Sequence, residues 1–215
     1  MNKEKPAFLP LFPLEMVVFP GEKVKLHIFE PRYLQLIHEC ESSGITFGIP
    51  AYIDGDLAEY GTEMALLTIF SVDENGEMDI LTEGRRVFRL VEFVRHVPGR
   101  LYSGGQVVFI ENDPDDSQVS KAELMGAFVR FHTLLHTGYR RDNFRVGNLS
   151  FQLAQEVGLT MKQKVRLLSM TRESERLRTL TEHLKNVIPI IQAAEETKLR
   201  IRKNGRFLRF PPIDL

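Results

Sequence analysis

The first half of the chain alternates apolar and polar residues in the way that is typical of half-buried β-strands. Four runs of residues have the composition or alternation of strands, at 64–72, 78–80, 87–94 and 101–110. Asn75-Gly76 predicts a type I′ hairpin turn, because both central residues of that turn need positive φ. Pro98-Gly99 predicts a type II turn into the following strand. The pattern therefore predicts an antiparallel β meander.

One helix is predicted among these strands. Pro31 suits its first position, where the missing N–H would have no intrahelical partner anyway, and Gly44 marks its end. The apolar residues between them recur at helical spacing: Tyr33, Leu36, Ile37 and Cys40. Because no histidine or lysine is placed to lower the pKa of its thiol, Cys40 is expected to pack as a small hydrophobic residue.

A polar segment at residues 111–117 predicts the boundary between two subdomains, residues 1–116 with the strands and residues 117–215 with further helices. Beyond it the apolar period changes from two to 3.6. Ser120 and Glu123 have the spacing of a capping box. One stripe of the helix that they begin is expected to be buried: Leu124, Phe128, Phe131 and Leu135.

Capping signals divide the remaining helical half. Gly158 ends one helix, and Thr160 with Gln163 forms a capping box for the next. Thr171 is expected to cap a helix that Pro189 interrupts, since proline removes a helical hydrogen bond. The helix restarted at Pro189 is expected to end at Asn204-Gly205, with a terminal β-hairpin as the alternative.

Charge is distributed unevenly, with a net +7 in residues 160–215 and −8 in residues 1–159, which together give −1. Six basic residues lie close together without an acidic residue among them: Lys198, Arg200, Arg202, Lys203, Arg206 and Arg209. This charged surface predicts either a solvated helix end or a site for nucleic acid. Nucleic acid is the less favoured partner, because the β half is net acidic.

Signatures of catalysis, cofactor binding and metal binding are missing from the sequence. There is no Gly-Lys dipeptide for a phosphate-binding loop, no nucleophile elbow and no His-Glu-x-x-His helix. His132 and His136 share one helix face, but no third ligand accompanies them on that helix, so a partly buried face is expected rather than a metal site.

Two further features bear on the compartment. The longest uncharged stretch, residues 42–53, contains glycine and proline and is shorter than the roughly 20 apolar residues of a spanning helix. A single cysteine excludes an intramolecular disulfide and favours a reducing compartment. We therefore expect a cytoplasmic protein that does not cross a membrane.

Three motifs carry a resemblance to a known family. Residues 9–21 read LPLFPLEMVVFPG and end in Pro20-Gly21, and Phe29 begins the motif FEPRY. A central strand contains GRRVF, at residues 84–88. Together these motifs resemble the N-terminal substrate-binding domain of Lon proteases, in its free-standing bacterial version. The residues that form this signature are Pro20, Gly21, Glu30, Pro31, Arg32, Tyr33, Gly84, Arg85 and Arg86.

The resemblance implies an α+β protein with a PUA-like antiparallel β-barrel, one inserted helix and a C-terminal helical bundle. It implies structural roles for the signature residues: a helix start at Pro31, an ion-pair partner and a core aromatic residue. It also implies a non-catalytic module that binds unfolded or flexible polypeptide segments, as an adaptor for ATP-dependent proteolysis. The alternative is an RNA-binding protein of the PUA-like class that uses the basic C-terminal helix.

The missing signatures lead to a prediction about catalysis. The purified protein should neither hydrolyse ATP nor cleave casein, because neither a phosphate-binding loop nor a nucleophile arrangement is encoded. Phosphate release and casein fragmentation are the measurements. Activity that co-purifies with the protein and disappears in one of its point variants would contradict the prediction.

Overall fold

The computed structural model describes residues 5–113, 115, 118–138 and 148–204, with the backbone alone at 118–120 and 203–204. Its strands are β1 (Ala7–Leu11), β2 (Lys23–Ile28), β3 (Phe47–Ile53), β4 (Asp56–Val72), β5 (Met78–Val94) and β6 (Ser103–Ile110). Its helices are α1 (Pro31–Ser43), α2 (Gln118–Leu134), α3 (Leu149–Ala154), α4 (Met161–Ser169) and α5 (Glu173–Asn204). The chain is thus of mixed α+β class.

The six strands form one sheet that closes nearly into a ring. The 17-residue strand β5 pairs along one edge with β4, and its other edge is divided between β2 and β6. From β6 the ring continues through β1 and β3 back to β4. All described pairings are antiparallel, as predicted, except the short parallel contact of β1 with β3.

The hairpin between β4 and β5 is confirmed, but its predicted turn type is wrong. Gly76 has a φ of 83°, whereas Asn75 is not among the residues with positive φ. The Asp73 carboxylate accepts the backbone N–H groups of Asn75 and Glu77 at 2.9 and 2.8 Å, which favours a three-residue turn with glycine as its last member. A two-residue turn with two positive φ values occurs instead at Asp54-Gly55, between β3 and β4.

The Pro20-Gly21 turn lies against β5 at Gly84. Gly21, with a φ of 82°, donates its N–H to the Gly84 carbonyl at 2.8 Å, and the Gly84 N–H donates to the Glu22 carbonyl at 2.9 Å. A Cβ at position 84 would lie 2.3 Å from the Phe19 carbonyl oxygen, so only glycine permits this approach. Two of the sequence motifs therefore meet in the fold.

Helix α1 begins at Pro31 and ends before Gly44, as predicted, and it covers one face of the sheet. The four core residues predicted for it are buried in a cluster that includes Phe12 and Phe47. Tyr33 stacks on Phe12 with ring centroids 3.7 Å apart. Burial raises the pKa of the Cys40 thiol to about 12, in agreement with its predicted role as a small hydrophobic residue.

The chain splits into two compact units, one formed by Met1–Asp116 with Arg145–Arg176 and the other by Ser117–Phe144 with Leu177–Leu215. Helices α3 and α4 thus fall in the same unit as the strands. The sequence placed every helix after residue 117 in a single subdomain. That the two subdomains are joined between residues 116 and 117 therefore stays a prediction.

The first unit contains a buried ionic cluster that the sequence analysis did not find. Arg176 is fully buried and donates to Glu173 at 2.8 Å, to the Ser150 hydroxyl at 2.9 Å and to the Met170 carbonyl at 2.6 Å. Its guanidinium also lies 4.3 Å from the centre of the Phe151 ring. A buried charge is tolerated when its donors are paired in this way.

Helix α2 confirms most of the predicted stripe. Leu124, Phe128 and Phe131 are buried, whereas Leu135 is 42% exposed because the helix ends at Leu134. The helix begins at Gln118, so Ser120 is not its N-cap and the predicted capping box is wrong. The box that was predicted at the start of α4, from Thr160 to Gln163, is present.

Helix α5 is capped from a distant segment rather than by Thr171. The Asp115 carboxylate accepts the backbone N–H of Ser174 at 2.9 Å, and the Asp113 carbonyl accepts the N–H of Glu173 at 3.1 Å. These contacts satisfy donors that the first turn of a helix leaves free. Polar residues of the predicted linker therefore pair with the start of α5, within the first unit.

The predicted interruption at Pro189 is wrong, because α5 runs through it for 32 residues. Proline removes the donor for the carbonyl of Lys185, but both residues are exposed, so water can satisfy that carbonyl. The helix ends at Asn204, where the sequence placed its end, while Gly205 lies outside the described residues. No helix in the described part of the chain is long and apolar enough to cross a membrane.

The buried stripe of α2 leads to a prediction about stability. Replacing Phe128 with Ala should lower the free energy of unfolding by about 3–5 kcal/mol, because the ring is fully buried and its removal leaves a cavity. Leu135→Ala is the matched control and should change the same quantity by no more than about 0.5 kcal/mol. Urea unfolding followed by circular dichroism measures both. Equal losses in the two variants would contradict the assigned stripe.

Candidate functional site

A turn between β5 and β6, residues 97–101 and here named the ridge, lies on the surface of the first unit. Gly99, with a φ of 72°, follows Pro98, and the Arg100 N–H donates to the Val97 carbonyl at 3.0 Å, as expected for the predicted type II turn. Gln35 of α1 accepts the Leu101 N–H at 2.8 Å. The ridge is thus fastened to the helix rather than extended into solvent.

Glu39 provides the second fastening. Its carboxylate accepts the Tyr102 hydroxyl at 2.6 Å and lies 2.9 Å from the Arg100 Nε. Burial and the hydrogen bond to this carboxylate raise the pKa of Tyr102 to about 12. The Glu39 side chain of α1 thereby contacts both Arg100, the last residue of the turn, and Tyr102.

On one side of the ridge lies a groove of about 780 Å³, here named the Leu101 groove. Gly55, of the turn between β3 and β4, also lines the groove. Three apolar side chains that line it are exposed: Tyr52 at 41%, Phe93 at 38% and Leu101 at 65%. Apolar surface concentrated in a concave site is typical of a binding site rather than of ordinary surface.

Basic side chains outnumber acidic ones around the Leu101 groove. Arg32, Arg95 and His96 line it, together with a single carboxylate, Asp56. Arg32 lies 4.6 Å from the centre of the Tyr33 ring and 2.7 Å from Glu30, which fixes the guanidinium at the rim. The groove combines apolar contact area with donors for carboxylate or carbonyl groups.

On the other side of the ridge lies a second groove of about 670 Å³, here named the Phe8 groove. Phe8 is half exposed, and Val97 and Pro98 of the ridge line the same groove. The Phe8 ring lies over Gly104 of β6, where a Cβ would approach the ring to 2.3 Å. Residues of the ridge therefore line two open grooves, both partly apolar.

The signature residues lie in three parts of the structure: the start of α1, the turn at Pro20-Gly21, and the strand β5. Arg32 and Tyr33 line the Leu101 groove, next to Pro31 at the start of α1 and Glu30 as ion-pair partner. Pro20 and Gly21 form the turn that contacts Gly84. The structure thus brings the FEPRY motif to the Leu101 groove, which Pro13 of the first motif also lines.

Arg85 and Arg86 both pair with carboxylates of the sheet. Arg86 forms a two-pronged contact with the buried Glu63, at 2.7 and 3.1 Å, and lies 3.6 Å from the centre of the Phe109 ring. Arg85 lies 3.5 Å from Glu83. The contact of Arg86 with Glu63 joins β5 to β4, whereas the contact of Arg85 with Glu83 lies within β5.

The charged surface of the C-terminal helix is only partly described. Lys198, Arg200 and Arg202 lie on the exposed end of α5, and Lys198 contacts Glu195 at 2.6 Å. The side chain of Lys203, and all of Arg206 and Arg209, lie outside the described residues. A pairing with an acidic residue one turn earlier is typical of a solvated helix face.

The two histidines of the helical half are not arranged as a pair. His132 is buried in α2, with Nδ1 2.8 Å from the Thr137 hydroxyl, whereas His136 is exposed beyond the helix end. Among the described residues, no group of three or more potential ligands is placed to hold a metal ion.

Comparison with known proteins identifies the family. Residues 8–186 match the model of the ATP-dependent protease La (LON) substrate-binding domain. The chain belongs to the Lon substrate-binding domain family. The match covers α1, the complete ring of strands and most of the helices, including every residue of the Leu101 groove.

Two solved structures show the same fold as this Lon-family chain. The Lon N-terminal domain protein from Xanthomonas campestris is 29% identical, with a TM-score of 0.65, and the alignment covers 81% of this chain and 96% of that one. The N-terminal domain of Lon protease from the Mycobacterium avium complex is 16% identical, with a TM-score of 0.62 and coverages of 83% and 98%. No curated protein sequence matches the chain.

Sequence reasoning missed the exposed apolar residues of the Leu101 groove, although the FEPRY motif contains Arg32 and Tyr33, which also line it. Tyr52 lies near the end of β3 and Phe93 near the end of β5, and no periodic pattern in those segments marks a groove. One signal was present: Asp54-Gly55 is a hairpin dipeptide, and it places Tyr52 beside a turn. The grooves depend on turns that meet only in the folded ring.

The Tyr102–Glu39 contact leads to a prediction about alkaline stability. The folded pKa of Tyr102 is raised from 10.0 to about 12, so its contribution to stability is complete below pH 10 and is lost as pH rises through about 12. Unfolding free energies across this range should fall with pH in the parent protein and fall less steeply in Tyr102→Phe. Tyr52→Phe is the control, and an unchanged slope in Tyr102→Phe would contradict the assignment.

Proposed function

We propose that this Lon-family protein binds unfolded or flexible polypeptide segments in the Leu101 groove. The observation that carries the proposal is the exposure of Tyr52, Phe93 and Leu101 in one groove of a substrate-binding domain. Apolar side chains of a client would cover these residues. Arg32 and Arg95 at the rim would bind client carbonyl or carboxylate groups.

The contacts that hold the ridge in place support the assignment of polypeptide binding to the Leu101 groove. The ridge is held by Gln35 and Glu39, so the groove exists before a client arrives and little ordering accompanies binding. We propose further that the protein serves as a non-catalytic adaptor for ATP-dependent proteolysis in the cytoplasm. The PUA-like class that the resemblance implies is part of this proposal, and the nearly closed ring supports it.

A binding experiment tests the groove with matched variants. Reduced and alkylated lysozyme, which stays unfolded, serves as the labelled probe, and fluorescence anisotropy gives the dissociation constant. Leu101→Ser should weaken binding by about tenfold, because it removes the most exposed apolar side chain of the groove. Ile190→Ser, at a residue 69% exposed on α5, should change it by less than about twofold. Equal effects of the two variants would overturn the proposal.

A salt series separates polypeptide binding from the RNA alternative. Apolar contacts depend weakly on salt, so the affinity for the unfolded probe should survive a rise from about 50 to about 300 mM, whereas each phosphate contact costs about 0.7–0.9 logarithmic units per tenfold rise. Arg200→Ala, Arg202→Ala and Lys203→Ala together should leave the affinity unchanged. Tight, steeply salt-dependent RNA binding that this triple variant loses would favour the alternative.

A further inference from the structure

Strand β2 has a free edge. It pairs with β5 along Met78–Glu83 and with no other strand of the described part of the chain, because β6 occupies the later half of the same β5 edge. Residues of an antiparallel strand bond alternately to one side and to the other. The hydrogen bond from the Gly84 N–H to the Glu22 carbonyl therefore decides which residues of β2 bond to β5. Val24 and Leu26 then bond to β5, and the N–H and C=O groups of the intervening residues point outward.

The outward-bonding residues are all basic. Lys23, Lys25 and His27 are exposed on the outer face of the sheet, whereas Val24 and Leu26 face the core and are half-buried. Edge strands with this composition resist pairing with copies of themselves. Antiparallel self-pairing centred on Lys25 would place lysine opposite lysine and Lys23 opposite His27, which is unfavourable.

The positive charge at this edge is only partly neutralised within the sheet. Both ring nitrogens of His27 face carboxylates, Asp79 at 3.0 Å and Glu77 at 3.1 Å. Among the described residues, neither Lys23 nor Lys25 has a carboxylate within 4.0 Å, and Lys25 lies 5.3 Å from the centre of the exposed Phe70 ring. Two lysines are therefore available to an incoming chain.

We propose that the free edge of β2 binds an extended polypeptide segment by antiparallel strand addition, and that this segment carries acidic residues at alternate positions with apolar residues between them. The acidic residues would lie opposite Lys23, Lys25 and His27 on the outer face. The apolar residues would lie beside Val24 and Leu26 and complete their burial. This site is separate from the Leu101 groove and does not depend on the function proposed for it.

Peptides test the chemistry of the partner with the full-length protein. A peptide about ten residues long that alternates glutamate and valine should bind, and one that alternates lysine and valine should bind at least about tenfold more weakly. Lys23→Glu with Lys25→Glu should reverse this preference. The control, Arg200→Glu with Arg202→Glu, makes the same charge change on α5 and should preserve it. A preference that survives the β2 variant would overturn the proposal.

Backbone pairing is tested independently of charge. N-methyl groups on the glutamates of the peptide, whose N–H groups would bond to β2, should weaken binding by about tenfold, whereas the same number on the valines should be tolerated. Hydrogen exchange at the amides of Lys23, Lys25 and His27 should slow when the unmodified peptide binds. Equal binding by both methylated peptides, or unchanged exchange at these amides, would overturn strand addition.

Two further outcomes are informative. Concentration-dependent dimers that the Lys23→Glu, Lys25→Glu variant loses would show that a second copy occupies the edge, against the proposal. Leu101→Ser should leave binding of the acidic peptide unchanged, because the groove and the edge are separate surfaces. Loss of peptide binding in that variant would overturn the assignment to β2, even if the polypeptide-binding function of the groove stood.

Discussion

Each edge of a β-strand can be paired only once along its length, and this constraint acts most strongly on β5. One edge of β5 pairs with β4, and the other is divided between β2 and β6. Gly84 lies at the changeover, where the Phe19 carbonyl comes too close for any side chain. Closure of the ring, the position of the Pro20-Gly21 turn and the free edge of β2 all follow from this division.

Features that depend on neighbouring residues could be predicted from the sequence. The turn at Pro98-Gly99, the limits of α1 and the capping box at Thr160 are each determined within a few residues. Features that join distant segments could not. Asp115 caps α5 across 59 positions, and Arg176 is buried only because Ser150 and the Met170 carbonyl accept its donors.

In the candidate site, too, some residues could be predicted from neighbouring sequence and others depend on contacts between distant segments. The FEPRY motif identified Arg32 and Tyr33, which line the Leu101 groove, although the resemblance implied only structural roles for them. Leu101 has no local signal, since an apolar residue after a turn usually begins a buried strand. Its exposure results from Gln35, 66 positions earlier, which holds the backbone of the ridge against α1. The grooves are therefore properties of the closed ring rather than of any segment.

Cys40, the only cysteine of the chain, lies buried between α1 and the sheet. With a pKa near 12, its thiol stays protonated at neutral pH, and its burial keeps alkylating reagents away. Reaction with such a reagent requires α1 to separate from the strands beneath it. The rate of thiol labelling is thus a built-in measure of how often the helix that supports the ridge opens in the native protein.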